Sequence, residues 1–457
     1  MRAQKRIKIL CFAIFGFLAV FCIPPTDGSD SIPDPSAFDF AGLEATQRFG
    51  ERSTVHLLTT FYDLEGEPAV HLFLVTKNQQ SIPEDLVESI EEGRRLRQEG
   101  VSLIEAGETK AGEDLLALSK SILLQEDEFG ALFVSANQDG PSLIAYHHGL
   151  PTHLTARTDA EERAQAFFGE KQMVFLGVLF FSPLEYYYEF ELEGEQILVS
   201  PFGSRIIERA DLEETIEFLD PPVFGPGNED FSVPMETDLY HLEEENQTEA
   251  DLFATLSESQ IIPGVPDYNQ RPALPKSCGP TAGACLLGYW DAQGYQDFLQ
   301  GTGTYDDVTH LIEELCAAMH WDPATGVYYS QIPTGLRDIT DDRGYAFTIS
   351  SLYAIGSLDI VRDEINAARP FVYASQENPW GLGHYVVVVG HEGNFIVVHD
   401  NWWSTPVDYY VNWDALRHTD DMMTTLIPQG QVGPLSQTLP AGVGGGGGGC
   451  FIQVATH

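Results

Sequence analysis

The residues of this chain that could do chemistry together are a cysteine, a histidine and an acid, met in that order. Residues 262–294 read IPGVPDYNQRPALPKSCGPTAGACLLGYWDAQG, and the first half of that run is broken by prolines and turn formers. A helical pattern then begins at Cys278, with Pro280 in the first turn, where a missing N–H is tolerated, and Gly294 where a helix would stop. Cys278 is therefore expected at a helix N-terminus. Unpaired amides and the positive end of the helix dipole stabilise a thiolate there, and the thiolate is the nucleophilic form.

A base is expected from residues 381–403, GLGHYVVVVGHEGNFIVVHDNWW, which read as two β-rich strands around a turn at His391-Glu392-Gly393-Asn394. His384 stands near the start of the first strand and Asp400 at the end of the second, sixteen residues on. A three-residue loop with Gly393 in the left-handed region would pair Gly390 with Asn394 and set His384 opposite Asp400 on one face. A loop of even length would put Asn401 there instead. The residues alone thus leave Asp400 and Asn401 as alternatives for the group that holds the imidazole.

These segments resemble the papain-like cysteine peptidases, and among them the family-39 type that processes double-glycine leaders, with its stand-alone secreted relatives. The resemblance rests on VPDYNQ ahead of SCGPTA, then GHYVVVVG, then VVHDNW, and covers residues 261–428. It implies an α+β domain with helices first and an antiparallel sheet last. It also implies roles: Cys278 as nucleophile, His384 as general base and then acid, Asp400 as the group that fixes the imidazole. Gln270 would donate to the oxyanion together with the backbone amide of Cys278. Trp402 would shield the histidine pair from water, and the VVHD strand end favours Asp400 over Asn401. The sequence holds no Walker-type GxxxxGK[ST] run, so the leader-processing role is not carried over.

Composition bounds the partners. The chain has 457 residues and a net charge of −45, from 69 acidic and 24 basic side chains. Such a surface argues against nucleic acid or an anionic membrane and fits solubility first, and after that a solvated, extracellular setting or cationic substrates; a peptide or protein substrate is what the resemblance implies. The N-terminus, MRAQKRIKILCFAIFGFLAVFCIPP, has a basic start and an apolar run that is short beside the ~20 residues of a bilayer span. Residues 1–28 are read as a signal peptide, so a secreted or cell-surface protein without a stable membrane span is expected. Of the six cysteines two lie in that segment, Cys278 should be free, and Cys285 and Cys316 fall in helical patterns as buried apolar residues. CxxC, HExxH and EF-hand patterns do not occur, so neither a cofactor nor a catalytic metal is expected.

Along the chain, residues 37–220 read as an α+β region. A helix is expected over 38–49, strands over 55–62 and 69–76, and a helical pair over 83–98 and 113–124. Strands over 131–135 and 142–146 follow, then a helix over 159–168 and strands over 173–181, 186–192 and 196–200. The neighbours His147 and His148 point to opposite faces of their strand and are expected at the surface, not on a metal. This region is expected to be a pro- or targeting domain, one that could inhibit the peptidase intramolecularly. Residues 221–260 read as an acidic linker, 261–430 as the peptidase domain and 431–457 as a glycine-rich tail. The tail's run of glycines before Cys450-Phe451-Ile452 resembles the ends of some exported bacterial proteins, which implies processing or surface attachment.

Two other classes compete with a peptidase. An amidase or peptidoglycan hydrolase would use the same cysteine and histidine, commonly with an acid just before the nucleophile and no upstream glutamine; here Ser277 and Gln270 stand in those places. An inactive papain-like binding module would not need all four of Cys278, His384, Asp400 and Gln270.

Overall fold

The computed structural model describes residues 35–78, 81–136, 142–169, 171–201, 206–209, 259–271, 273–301, 303–375, 384–403, 405–416, 418 and 421–429. The segments read as signal peptide, acidic linker but for its last two residues, and tail lie outside the described residues.

The N-terminal region runs α1 (Pro35–Phe49), β1 (Thr54–Tyr62), β2 (Pro68–Thr76), α2 (Leu86–Glu105), α3 (Thr109–Leu124), β3 (Phe129–Ser135), β4 (Leu143–His148), α4 (Thr152–Phe168), β5 (Met173–Ser182), β6 (Glu185–Leu192), β7 (Glu195–Val199) and β8 (Ile206–Glu208). The second region runs β9 (Ser259–Ile261), α5 (Cys278–Ala292), α6 (Tyr305–Ala318), α7 (Gln331–Asp342), β10 (Phe347–Tyr353), α8 (Leu358–Asn366), β11 (Phe371–Ser375), β12 (His384–Glu392), β13 (Phe395–His399), β14 (Tyr409–Asn412) and β15 (Met422–Pro428). This is the α+β arrangement expected, helices before sheet in the second region. The short strands β8 and β9 and the final β15 were not legible in the sequence. The helix expected over 159–168 starts a turn and more earlier, at Thr152.

Local sequence accounts for most of these elements. Leu72 to Val75 in β2 are all fully buried, as a continuous apolar run must be when both faces of a strand are covered. Thr304 caps α6 by accepting from the Asp307 amide while the Asp307 carboxylate accepts from the Thr304 amide, a capping box that sets where the helix starts. Among the described residues, no helix is long and apolar enough to cross a membrane.

The strands form one sheet in the order β10-β15-β11-β12-β13-β14-β4-β3-β2-β1-β5-β6-β7-β8, with β9 added to β12. All the pairings are antiparallel except the single β1–β5 contact. The two regions therefore meet within the sheet, where Tyr409, Tyr410 and Val411 of β14 pair with His147, Tyr146 and Ala145 of β4. Side chains reinforce that seam. The Asn412 amide donates to the Leu143 carbonyl at 2.7 Å, and the Tyr409 hydroxyl to the Pro183 carbonyl at 2.9 Å. Arg48 and the Tyr146 hydroxyl both reach the Glu392 carboxylate, at 2.8 and 2.7 Å.

His147 departs from the sequence expectation. The two histidines do point to opposite faces, but His147 is fully buried at the seam against Phe133 and Tyr409 rather than lying at the surface. The reason is tertiary: β4 is an interior strand of the joined sheet, not an edge.

Candidate active site

Cys278 opens α5, and from Gly279 to Trp290 every residue of that helix is buried. A helix apolar all round belongs at the centre of a core, and α5 packs there between α6, α7 and the sheet. Gly279 permits the approach, since a β-carbon at that position would come within 2.5 Å of Val327 and 2.8 Å of Ile332. Cys278 itself remains partly exposed. Cys285 and Cys316 are buried and free, as expected for small apolar residues, and burial pushes both thiols up, Cys285 beyond the range of any ordinary cysteine and Cys316 to about 12.

His384 is the first residue of β12 and is 9% exposed. Its Nε2 lies 2.8 Å from the backbone carbonyl of Asp400. A carbonyl only accepts, so Nε2 carries the proton and Nδ1 is the basic nitrogen of the neutral ring. The ring stacks on Trp402, with centroids 5.0 Å apart and planes 13° from parallel.

The expected hairpin register needs correction. Gly393 is left-handed, with φ of 55°, but Glu392 pairs with Phe395, so the loop holds two residues and Gly390 faces Val397, not Asn394. A bulge between Val388 and Gly390 then shifts the outer half, where Val387 pairs with His399. Continued outward, this register sets His384 against Trp402, which is the ring it stacks on. The Asp400 carbonyl reaches the imidazole because the chain leaves β13 at His399 and turns.

That turn is built by buried polar groups. Oδ1 of Asp400 accepts from the Trp402 amide at 3.1 Å and from the Thr405 hydroxyl. Burial pushes the Asp400 carboxyl up to about 7; the nearby Asp267 adds to this, while the bonds from Thr405 and Trp402 and the charge of Lys120 oppose it. Asn401 is fully buried with φ of 65°, a left-handed conformation that asparagine tolerates. Its side-chain amide donates to the Tyr385 carbonyl at 3.0 Å, and its Oδ1 lies 3.6 Å from the Cys285 thiol. The Asn401 side chain thus ties the strand of His384 to the helix of Cys278.

Gln270 is brought to the same turn. Its amide donates to the Asn401 carbonyl at 3.0 Å, and its own carbonyl accepts from the Trp403 indole at 3.0 Å. Its side-chain Nε2 is buried and has no hydrogen-bond partner among the described residues. Next to it, Arg271 is buried under the Tyr305 ring at 3.9 Å and donates to Thr309 and to the Asn269 carbonyl. Sequence reading missed Asn401 as a structural tie, Thr405, Arg271 and the ion pair of Lys120 with Asp267 at 2.9 Å. Of these only Asn401 carried a signal, as an asparagine just past a strand end.

Residues 262–420 match the model of the Peptidase_C39 like family. Two solved structures are similar. One, described as a C39-like peptidase from Bacillus anthracis, is 14% identical and covers 37% of this chain and 98% of its own, with a TM-score of 0.27. The other is the peptidase domain of Streptococcus ComA, a bi-functional ABC transporter involved in a quorum-sensing pathway, at 18% identity, 35% and 97% coverage and a TM-score of 0.25. No curated protein matches the chain.

Proposed function

We propose, from the premise that residues 262–420 form a domain of the Peptidase_C39-like family, that this chain is an exported cysteine peptidase whose machinery is Cys278, His384, Asp400 and Gln270. The observation that carries the reading is the convergence on residues 400–402. The Asp400 carbonyl holds His384, the Asn401 carbonyl holds Gln270, and the Asn401 side chain ties both to the helix that begins with Cys278.

The chemistry follows from that arrangement. Nδ1 of His384 takes the thiol proton of Cys278, and the thiolate adds to the carbonyl carbon of a peptide bond. The oxyanion is met by the buried Nε2 of Gln270 and by the Cys278 backbone amide, which α5 leaves without an intrahelical acceptor. The imidazolium returns its proton to the departing amine, leaving a thioester. Water, deprotonated by the same nitrogen, then releases the acid and restores the thiol. Asp400 acts through its backbone carbonyl, which fixes the tautomer, while Trp402 keeps the ring in plane. The basic start and apolar run of residues 1–22 support export.

The test is hydrolysis of a mixed peptide library by the mature chain, analysed by mass spectrometry. Cleavage that is lost in Cys278→Ala, with unchanged thermal unfolding, is the expected result. Undiminished cleavage by the alanine variant removes the assignment.

A further inference from the structure

The N-terminal region reaches the catalytic end of the second region through a small cavity of about 10 Å³ beside His384. On one side it is lined by His384, Asp400, Trp402 and Thr405, and on the other by residues that include His147, Thr152 and Tyr186. That volume is room for about one water molecule.

His147 has an unusual place in that wall. Its Nδ1 lies 3.3 Å from the His148 carbonyl, so Nδ1 carries the proton and Nε2 is left as a bare acceptor. Nε2 is buried and has no hydrogen-bond partner among the described residues. A buried acceptor without a partner is destabilising, so a water in reach of it would be held there. The complementary group lies across the cavity. Burial holds the Asp400 carboxyl up to about 7, so near neutrality much of it carries a proton that can be donated, while burial pushes His147 down to about 4 and keeps it a neutral acceptor.

We propose that His147 is a positioning residue of the peptidase: through one water in the cavity, its Nε2 accepts from the Asp400 side and so steadies the turn whose carbonyl holds His384. This rests on the peptidase reading above. It makes residues 37–220 a standing part of the active site rather than a pro-domain to be removed. Removal would strip the roof from Asp400 and open the seam in the sheet.

The experiment compares the mature full-length chain with His147→Phe, which keeps the ring and its packing but lacks the acceptor, and with His147→Gln, which restores one. Two readouts are taken: kcat and KM on a cleaved peptide, and the rate at which iodoacetamide alkylates Cys278. In the phenylalanine variant kcat and the alkylation rate should fall about tenfold with KM unchanged, and glutamine should recover most of the loss. A folded His147→Phe with wild-type rates overturns the proposal, and faster rates overturn it in favour of inhibition by the N-terminal region. If His147→Phe does not fold, His147→Asn is read in its place: a kcat loss at constant KM supports the proposal and a wild-type kcat overturns it. A wild-type Cys278 that alkylates no faster than a simple thiol removes the peptidase reading, and this inference with it. A reactive wild type with indifferent variants removes only this inference.

Discussion

In the proposed reaction the helix of Cys278 and the strand end of His384 supply the two halves, and they are held by different forces. α5 is gripped by apolar packing on every side, and its glycine at 279 marks how closely that packing is drawn. His384 sits on a turn made of buried polar groups, Asp400, Asn401 and Thr405, part of whose cover comes from the N-terminal region. Packing energy is spread over many contacts, whereas a buried hydrogen-bonded turn depends on each member. Damage to the first half should therefore register chiefly as lost stability, and damage to the second as lost activity.

The largest effect expected is at the second half. His384→Ala should lower kcat by roughly 10³-fold or more, because it removes the group proposed to transfer the proton. Asp400→Ala should cost far less, since the carbonyl that holds the imidazole belongs to the backbone and survives the substitution. Matched kinetics on the two variants check this. Equal losses would mean that the carboxyl, not the carbonyl, orients the ring.

A smaller effect, in stability, is expected at the first half. Gly279→Ala places a methyl where Val327 and Ile332 already stand, and overpacking of this kind costs about 1–3 kcal/mol. Denaturant unfolding should show that loss. A wild-type midpoint would show that α5 can shift outward and that the grip is looser than its burial suggests.

The smallest effect is a slope. The folded Asp400 carboxyl holds its proton up to about 7, whereas the unfolded chain releases it near ~4, so between those values the folded state binds more protons. Stability should then fall as pH rises through that window, by on the order of 1 kcal/mol per pH unit from this group. The groups around it include Asp267, Lys120, Thr405, His384, Tyr186, Tyr409 and the neutral His147. Asp400→Asn should flatten that part of the profile, measured as unfolding free energy at a series of pH values. A slope unchanged by the substitution would assign the pH dependence to other groups.

The sequence was informative where chemistry follows local pattern. Proline punctuation, a helical run and a stop glycine place Cys278 at a helix start, and β-rich alternation places His384 and Asp400 at strand ends. It misjudged the hairpin at its loop, where Glu392 pairs with Phe395 and Gly390 does not pair with Asn394; the extra residue between Val388 and Gly390 then moves the outer register back by one. Asn401, left open as a rival to Asp400, proves to hold the site together by its side chain without being the group bonded to the imidazole.

By itself the sequence determined which side chains could react and which elements carry them, since periodicity and turn chemistry act over a few residues. Only the tertiary structure decided that a backbone carbonyl meets His384, that Asp400 is buried deeply enough to hold a proton, and that His147 lies across from it. The last of these depends on β4 pairing with β14, residues more than 260 positions apart. Desolvation and long-range register are properties of the packed chain, and no local pattern encodes them.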